Sequence, residues 1–314
     1  MLDFSVSEAD VVKVFLVGAT GVLGRALVPL LHERGHNVRA LVRSLERTRW
    51  AAALGDELYP GDLLDAETQR RLPEMIAGCD AVVHIATAIP ADPSARPEAW
   101  AANTRLRTEG TRALLDATLA TRAPFYIQQS IVMAYIDGGE RWLDESTPFD
   151  DAPARAGMVA PVRTVEQMVR ETPTARLAWT ILRGGQFVGP GTWQEGTMQR
   201  LREGREIVPC DGRNYFSPVH VADMAAAFVA ALERRPANGI FNITAEPLRR
   251  GEYLDRLAAI AGAPPPRRDP SLPCPPSYRC SSNAARERLG WQPMHSIWPG
   301  EATYSAGPAL GKYA

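Results

Sequence analysis

The chain has 314 residues, with 35 Lys plus Arg against 36 Asp plus Glu and a formal net charge of −1. That length accommodates one large α/β domain or two smaller lobes around an ample core. The balanced charge and scattered arginines argue against a basic stripe for nucleic acid or a polybasic patch for anionic lipid.

The opening segment MLDFSVSEAD has neither a basic nor an apolar signal region, and no apolar run approaches the ~18 residues of a spanning helix. A cytoplasmic protein with no membrane partner is the expectation. Residues 11–17 form a β-branched apolar run that suits a strand buried on both faces of a parallel sheet. Glycines and a helix to about residue 33 follow. Further strand-like runs lie at 37–42, 81–86, 125–129 and 177–182, separated by helical segments such as 104–120 and 162–170. The alternation predicts an α/β fold, a doubly wound parallel sheet of Rossmann type, over residues 1–183. From 184 onward the rhythm becomes mixed, with helices near 195–203 and 221–233 and a short strand at 239–244. Residues 184–314 are therefore expected to form a smaller substrate lobe interleaved with the first domain. The proline-rich stretch 264–276 is expected to be a surface loop, because prolines lack the N–H donor that a helix or central strand needs.

Cys79, Cys210, Cys274 and Cys280 form no CxxC pair and have no His at ligand spacing, which predicts buried free thiols and no metal site.

Gly18-Ala19-Thr20-Gly21-Val22-Leu23-Gly24 places glycines at GxxGxxG spacing between the first strand and its helix. The first glycine permits a tight turn, the second lets a pyrophosphate reach the backbone, and the third lets helix and strand pack closely. The end of the second strand, where an acid would accept from a ribose 2′-OH, carries Arg43 and Ser44 instead. A guanidinium there suits a 2′-phosphate, so NADP is favoured over NAD; the alternative is an ordinary solvated charge. Asp62, followed by Leu63, is placed to accept from the adenine amino group or to cap a helix. Ala86, Thr87 and Ala88, at the end of the fourth strand, complete the expected cofactor site.

GATGVLG, GDLLD, HIATA, EGTRALLDA, LRGGQFVGPG and SPVHVADMAAAFVAAL, in this order across residues 11–295, resemble the extended short-chain dehydrogenase/reductase family, specifically its NAD(P)-dependent epimerase/dehydratase-like members. The resemblance implies a catalytic Ser, a Tyr-x-x-x-Lys pair on one helix face, and an Asn. In the Tyr-x-x-x-Lys pair, side chains four apart stack, so the ammonium lowers the phenol pKa. Ser130 matches the serine. Met158 and Val162 occupy the tyrosine and lysine positions, and Arg107 occupies the asparagine position. The chain has only two lysines, Lys13 before the first strand and Lys312 near the C-terminus, so no shift of alignment restores the pair. Pro161 fits the first turn of a shortened helix.

The expected catalytic groups are thus Ser130, Tyr135 in the loop after it, and Arg107 as a fixed cation near developing negative charge. Each has a plainer alternative: a strand-end cap, a loop anchor like Trp142, and a solvated or ion-paired helix residue. His84 is expected to be a core histidine, and His220 beside Asp223 a structural motif. The reading is an NADP(H)-dependent oxidoreductase with a non-standard site, acting on a small organic molecule, with a homodimer possible. The alternatives are a non-redox dehydratase, isomerase or cyclase, and an NADP(H)-sensing binding protein. The cleft-lining loops at 186–197 and 264–278 carry no recognisable substrate signature.

Overall fold

The structure, a computed structural model, describes residues 11–90 and 97–301; Lys312 lies outside them. Seven strands form one all-parallel sheet: β1 (Lys13–Val17), β2 (Asn37–Val42), β3 (Glu57–Pro60), β4 (Ala81–His84), β5 (Phe125–Ile131), β6 (Ala178–Gly184) and β7 (Gly239–Ile243), in the order β7-β6-β5-β4-β1-β2-β3. Side chains alternate across the sheet. Val14 and Leu16 pack with α1 (Val22–Glu33) on one face, whereas Phe15 and Val17 pack with α2 (Ala66–Ile76) and α3 (Ala101–Thr121) on the other. Helix α4 (Ala156–Arg170) joins the second face through Val165, Met168 and Val169. Strand order reverses at β1, between β2 and β4. A crevice therefore opens outside the carboxyl ends of β1 and β4, where open α/β sheets bind ligands.

Residues from 184 on divide among three cores, Tyr278 and Cys280 packing with Tyr135, Phe149 and Val162. Helix α5 (Trp193–Arg202) packs through Leu201 with Val188, Val208, Phe216, Tyr253 and Leu254 in a separate apolar cluster. Helix α6 (Val221–Arg234) and β7 instead return to the main sheet, where β7 pairs with β6 in register Gly239↔Thr180 to Ile243↔Gly184. The strand expected in the smaller lobe is the seventh strand of the large one, which its buried Phe241 and Ile243 require.

Four local expectations need correction. Lys13 opens β1 instead of preceding it, and its ammonium meets Glu57 at 2.6 Å. Pro161 lies inside α4, not in its first turn; the carbonyl it leaves without a donor belongs to exposed Gly157, where water substitutes at little cost. The proline-rich stretch is not all loop, because Arg267–Asp269 pairs with Ile207–Pro209 in a parallel ladder. Beside that ladder Cys210 and Cys274 are joined in a disulfide with Cα atoms 5.0 Å apart, while Cys79 and Cys280 are free and buried. Two of the four expected free thiols are thus paired. Among the described residues no helix is long and apolar enough to cross a membrane, and no cluster of His, Cys, Asp or Glu could hold a metal.

Candidate active site in the cleft above the sheet

The glycine turn has a different geometry at each glycine. Gly18 has φ +112°, and a Cβ there would lie 2.7 Å from the Ala86 nitrogen, so only glycine lets β1 and the end of β4 approach. A Cβ on Gly24 would lie 2.3 Å from the carbonyl oxygens of both Gly18 and Ala19, which fixes the packing of α1 on its own strand. Gly21 differs. Its φ of −72° and ψ of 174° are open to any residue, and a Cβ would meet only the Gly18 oxygen, at 3.3 Å. The space beside Gly21 is therefore not used by the fold. Gly21 is also the N-cap of α1, and no side chain caps the helix, which leaves first-turn amides and the positive end of the helix dipole facing the crevice. Val22 is exposed and Leu23 buried; the Thr20 carbonyl accepts from Arg25 Nε at 3.3 Å. These features fit a dinucleotide pyrophosphate.

Around this turn, Arg43 is exposed at the end of β2 and makes no hydrogen bond or ion pair among the described residues. The carbonyl of the adjacent Ser44 accepts from Thr48 at 2.9 Å. Asp62 does not cap α2: that cap is Asp65, which accepts from the Thr68 amide at 2.9 Å. Asp62 instead receives the Leu64 amide on Oδ1 at 2.9 Å. Leu63 is buried and packs where a Cβ on Gly110 of α3 would lie, 2.7 Å from its Cδ2. Past β4, the Ala88 amide is held by Asn103 Oδ1 at 3.0 Å, the Ala86 amide points at His84 Nδ1 at 3.4 Å, and Thr87 is exposed.

Arg107 sits one turn of α3 below Asn103. It is 7 % exposed and has no hydrogen-bond or ion-pair partner among the described residues. Burial pushes its guanidinium down to about 10, still charged at neutral pH. The ion pair expected as its plainer alternative is absent among the described residues. A buried cation without a counter-charge is costly. Nearby His84 is buried, and desolvation first, opposed by the Leu106 carbonyl and reinforced by the Arg107 charge, lowers its pKa to about 4; the ring is neutral, and its Nε2 makes no hydrogen bond of good geometry.

Ser130 and Tyr135 lie elsewhere. Ser130 donates to Glu166 Oε1 at 2.5 Å, and Arg183 binds both Glu166 oxygens, Nε–Oε1 at 2.9 Å and Nη2–Oε2 at 2.6 Å. Arg183 Nη1 also donates to the Tyr135 hydroxyl at 2.7 Å, and that hydroxyl donates to Asn242 Oδ1 at 2.7 Å. All five side chains are buried. Burial raises the Tyr135 phenol despite the Arg183 charge. Both hydroxyls spend their donors inside this buried network, which ties β5, β6, β7 and α4 together.

The wall above this network is an open cavity of about 400 Å³ lined by Met133, Ala154, Arg155, Gly157, Met158, Pro276 and Tyr278. Met158, at the family tyrosine position, is 39 % exposed, while Val162 one turn on is buried at 1 %. Arg155 and Tyr278 escaped the sequence reading. Arg155 donates to the Tyr278 hydroxyl and, at 2.5 Å, to the Met133 carbonyl, and pairs with Asp150 at 3.1 Å. Tyr278 lies in the 264–278 segment already placed at the cleft, but nothing in its sequence surroundings marks it. His220, as expected, is structural: its Nδ1 caps α6 by accepting the Ala222 amide at 3.2 Å, and its ring stacks on His295, which Asp223 holds at 2.7 Å.

The chain belongs to the NAD dependent epimerase/dehydratase family, whose pattern matches residues 14–244. It is thus related to NAD(P)-dependent reductases, epimerases and dehydratases. Among its relatives, a 3-diazoavenalumate denitrifying reductase from a Streptomyces species is 37 % identical over 91 % of this chain and 97 % of that protein. A 4-hydroxy-2-methyl-3-oxo-4-farnesyl-3,4-dihydroquinoline-1-oxide ketoreductase from Stigmatella aurantiaca is 30 % identical over 80 % of this chain and 73 % of its own length. The fold also matches the crystal structure of a dTDP-glucose 4,6-dehydratase from Streptomyces venezuelae with NAD bound. That match has a TM-score of 0.77 and 20 % identity, and covers 90 % of this chain and 92 % of that one.

Proposed function

We propose that the protein is an NADP(H)-dependent oxidoreductase that reduces a polarised multiple bond of a small organic substrate in the cavity above β5. The observation that carries this reading is a dinucleotide turn with an open second glycine, together with the lack of a titratable group at the family tyrosine and lysine positions, Met158 and Val162. Epimerisation and dehydration of sugars begin by removing a proton from an alcohol, and neither of those side chains can accept one. Reduction of an electrophile needs no such base. The two relatives described above, both named as reductases, support the same direction.

When bound, the reduced nicotinamide supplies the hydride. The chain's own residues divide the remaining work. The α1 amides beside Gly21 would receive the pyrophosphate, exposed Arg43 would receive the 2′-phosphate that distinguishes NADP from NAD, and Asp62 would accept from the adenine amino group. Arg107 lies where the family asparagine would be. Its unpaired charge stabilises an anion of cofactor or substrate at the end of β4, but a guanidinium is a poor proton donor. Met133 and Met158 offer apolar contact to the substrate body.

The test is binding by calorimetry together with thermal unfolding of Arg107→Met. Removing a buried unpaired charge should leave the free protein as stable as the parent, or more so, yet weaken NADPH or substrate binding at least tenfold. A variant that loses stability and keeps both affinities would show that Arg107 serves the fold instead.

A further inference from the structure

The cavity that lost its tyrosine on α4 has gained another from a distant part of the chain. We propose that Tyr278, held by Arg155, is the proton donor of the reaction, a Tyr–Arg pair standing in the same cavity as Met158 in place of the missing Tyr–Lys pair. This inference rests on the reductase reading above.

Three observations carry it. Tyr278 is 9 % exposed and lines the cavity together with Met158, so its phenol shares the space that the family tyrosine position faces. Its oxygen accepts from Arg155 Nη1, and its own O–H donates to no acceptor among the described residues. A hydroxyl that lines an open cavity and donates to no protein acceptor is available to donate to what the cavity holds. The residue is also rigidly placed: its amide donates to the Tyr215 carbonyl at 2.9 Å, its carbonyl accepts from Ser217 Oγ at 2.8 Å, and Ser277 before it is pinned to Asp137 and Gly139. Arg155 is fixed in turn by Met133 and Asp150. Such double support on both partners is what a pre-organised donor requires.

For a carbonyl substrate the step balances as follows. The carbonyl carbon takes a hydride, the π electron pair moves to oxygen, and that oxygen takes the Tyr278 hydroxyl proton. The substrate gains two electrons that the nicotinamide loses, and the phenolate left beside Arg155 regains a proton from water. Burial pushes Tyr278 up to about 12, opposed by the Arg155 charge and assisted by the Asp150 and Asp137 carboxylates that also face it. The phenol is therefore protonated at neutral pH, as a donor must be and a base must not.

The probe is 4-nitrobenzaldehyde, with Tyr278→Phe, Arg155→Gln and Arg155→Lys compared with the parent. In the unreactive complex with oxidised cofactor, the infrared C=O stretch of the bound aldehyde should lie lower in the parent than in Tyr278→Phe, since only the parent donates to that oxygen. In turnover with NADPH, Tyr278→Phe should lose at least 100-fold in kcat with KM and NADPH affinity within about threefold. The alkaline fall of the rate should also vanish in Tyr278→Phe. Arg155→Gln should lose more than tenfold, and Arg155→Lys should recover part of it. An identical C=O stretch in parent and Tyr278→Phe, or full turnover by Tyr278→Phe, overturns the proposal. A Tyr278-dependent stretch in a protein that does not reduce 4-nitrobenzaldehyde with NADPH would instead retain the contact and refute the reductase reading.

Discussion

The two helix-proximal glycines give the sharpest contrast, because Gly21 and Gly24 sit three residues apart with opposite demands. A Cβ on Gly24 would stand 2.3 Å from two backbone carbonyl oxygens and 2.5 Å from the Ala19 carbonyl carbon. Those atoms belong to the turn and cannot swing aside, so Gly24→Ala must open the strand–helix joint by about 1 Å. Overpacking of that kind costs about 1–3 kcal/mol, and for a domain of this size each kcal/mol lowers Tm by about 2–4 °C; a drop of about 2–12 °C is expected. At Gly21 the backbone already has an ordinary conformation, and the single contact at 3.3 Å yields easily. Gly21→Val should hold Tm to within about 3 °C, helped by the loss of about 0.4–1 kcal/mol of unfolded-chain freedom. Its branched side chain fills the space beside the α1 amides, so NADPH affinity should fall at least 100-fold, about 2.8 kcal/mol. Differential scanning calorimetry and fluorescence titration with NADPH measure both quantities on the same samples. A Gly21→Val protein that binds NADPH like the parent, or a Gly24→Ala protein of unchanged Tm, would refute the assignment of these glycines.

Three further outcomes follow from the same geometry. Arg43→Ala should weaken NADPH by about 1.5–3 kcal/mol, the worth of a hydrogen bond to a charged group, and leave NADH nearly unchanged; parallel calorimetric titrations check it. Glu166→Gln leaves the buried Arg183 guanidinium without its counter-charge, so urea unfolding should show a loss of about 3–5 kcal/mol. His84 is buried neutral with its pKa lowered to about 4, so the unfolded chain binds the extra proton first. This contribution to stability is complete above the unfolded pKa near 6.5, declines as pH falls toward 4, and amounts to about 3 kcal/mol in total. Unfolding curves at pH 7 and 4.5 should therefore converge for His84→Asn after correction for the other groups, and an unchanged pH dependence would count against burial of the ring.

Much of the fold was legible because local pattern and global role agree. The second strand was read as 37–42 and is Asn37–Val42, a buried apolar run bounded by turns. Spacing alone marked Gly18 and Gly24 as positions of close backbone approach. Long-range partners were not legible. Cys210 and Cys274 lie 64 residues apart, and what joins them is the pairing of two short edge strands that have no periodic signature. Pro161 suggested a helix start because the sequence could not reveal that the orphaned Gly157 carbonyl would face water. Arg107 was visible as a departure from the family pattern, but its isolation depends on what surrounds it. Ser130 and Tyr135 were drawn to the site by position. The Glu166 and Arg183 pair that claims them becomes evident only when α4 and β6 are placed side by side. Tyr278 reaches the cavity from a loop that sequence alone cannot aim.

The most direct test of the central claim is to follow the isotope during reduction. NADPH deuterated at both nicotinamide C4 positions should deliver one label to the product carbon, in step with the loss of reduced-nicotinamide absorbance, mole for mole. Product formed without label, or without consumption of NADPH, would contradict hydride transfer and leave a non-redox reaction on this fold.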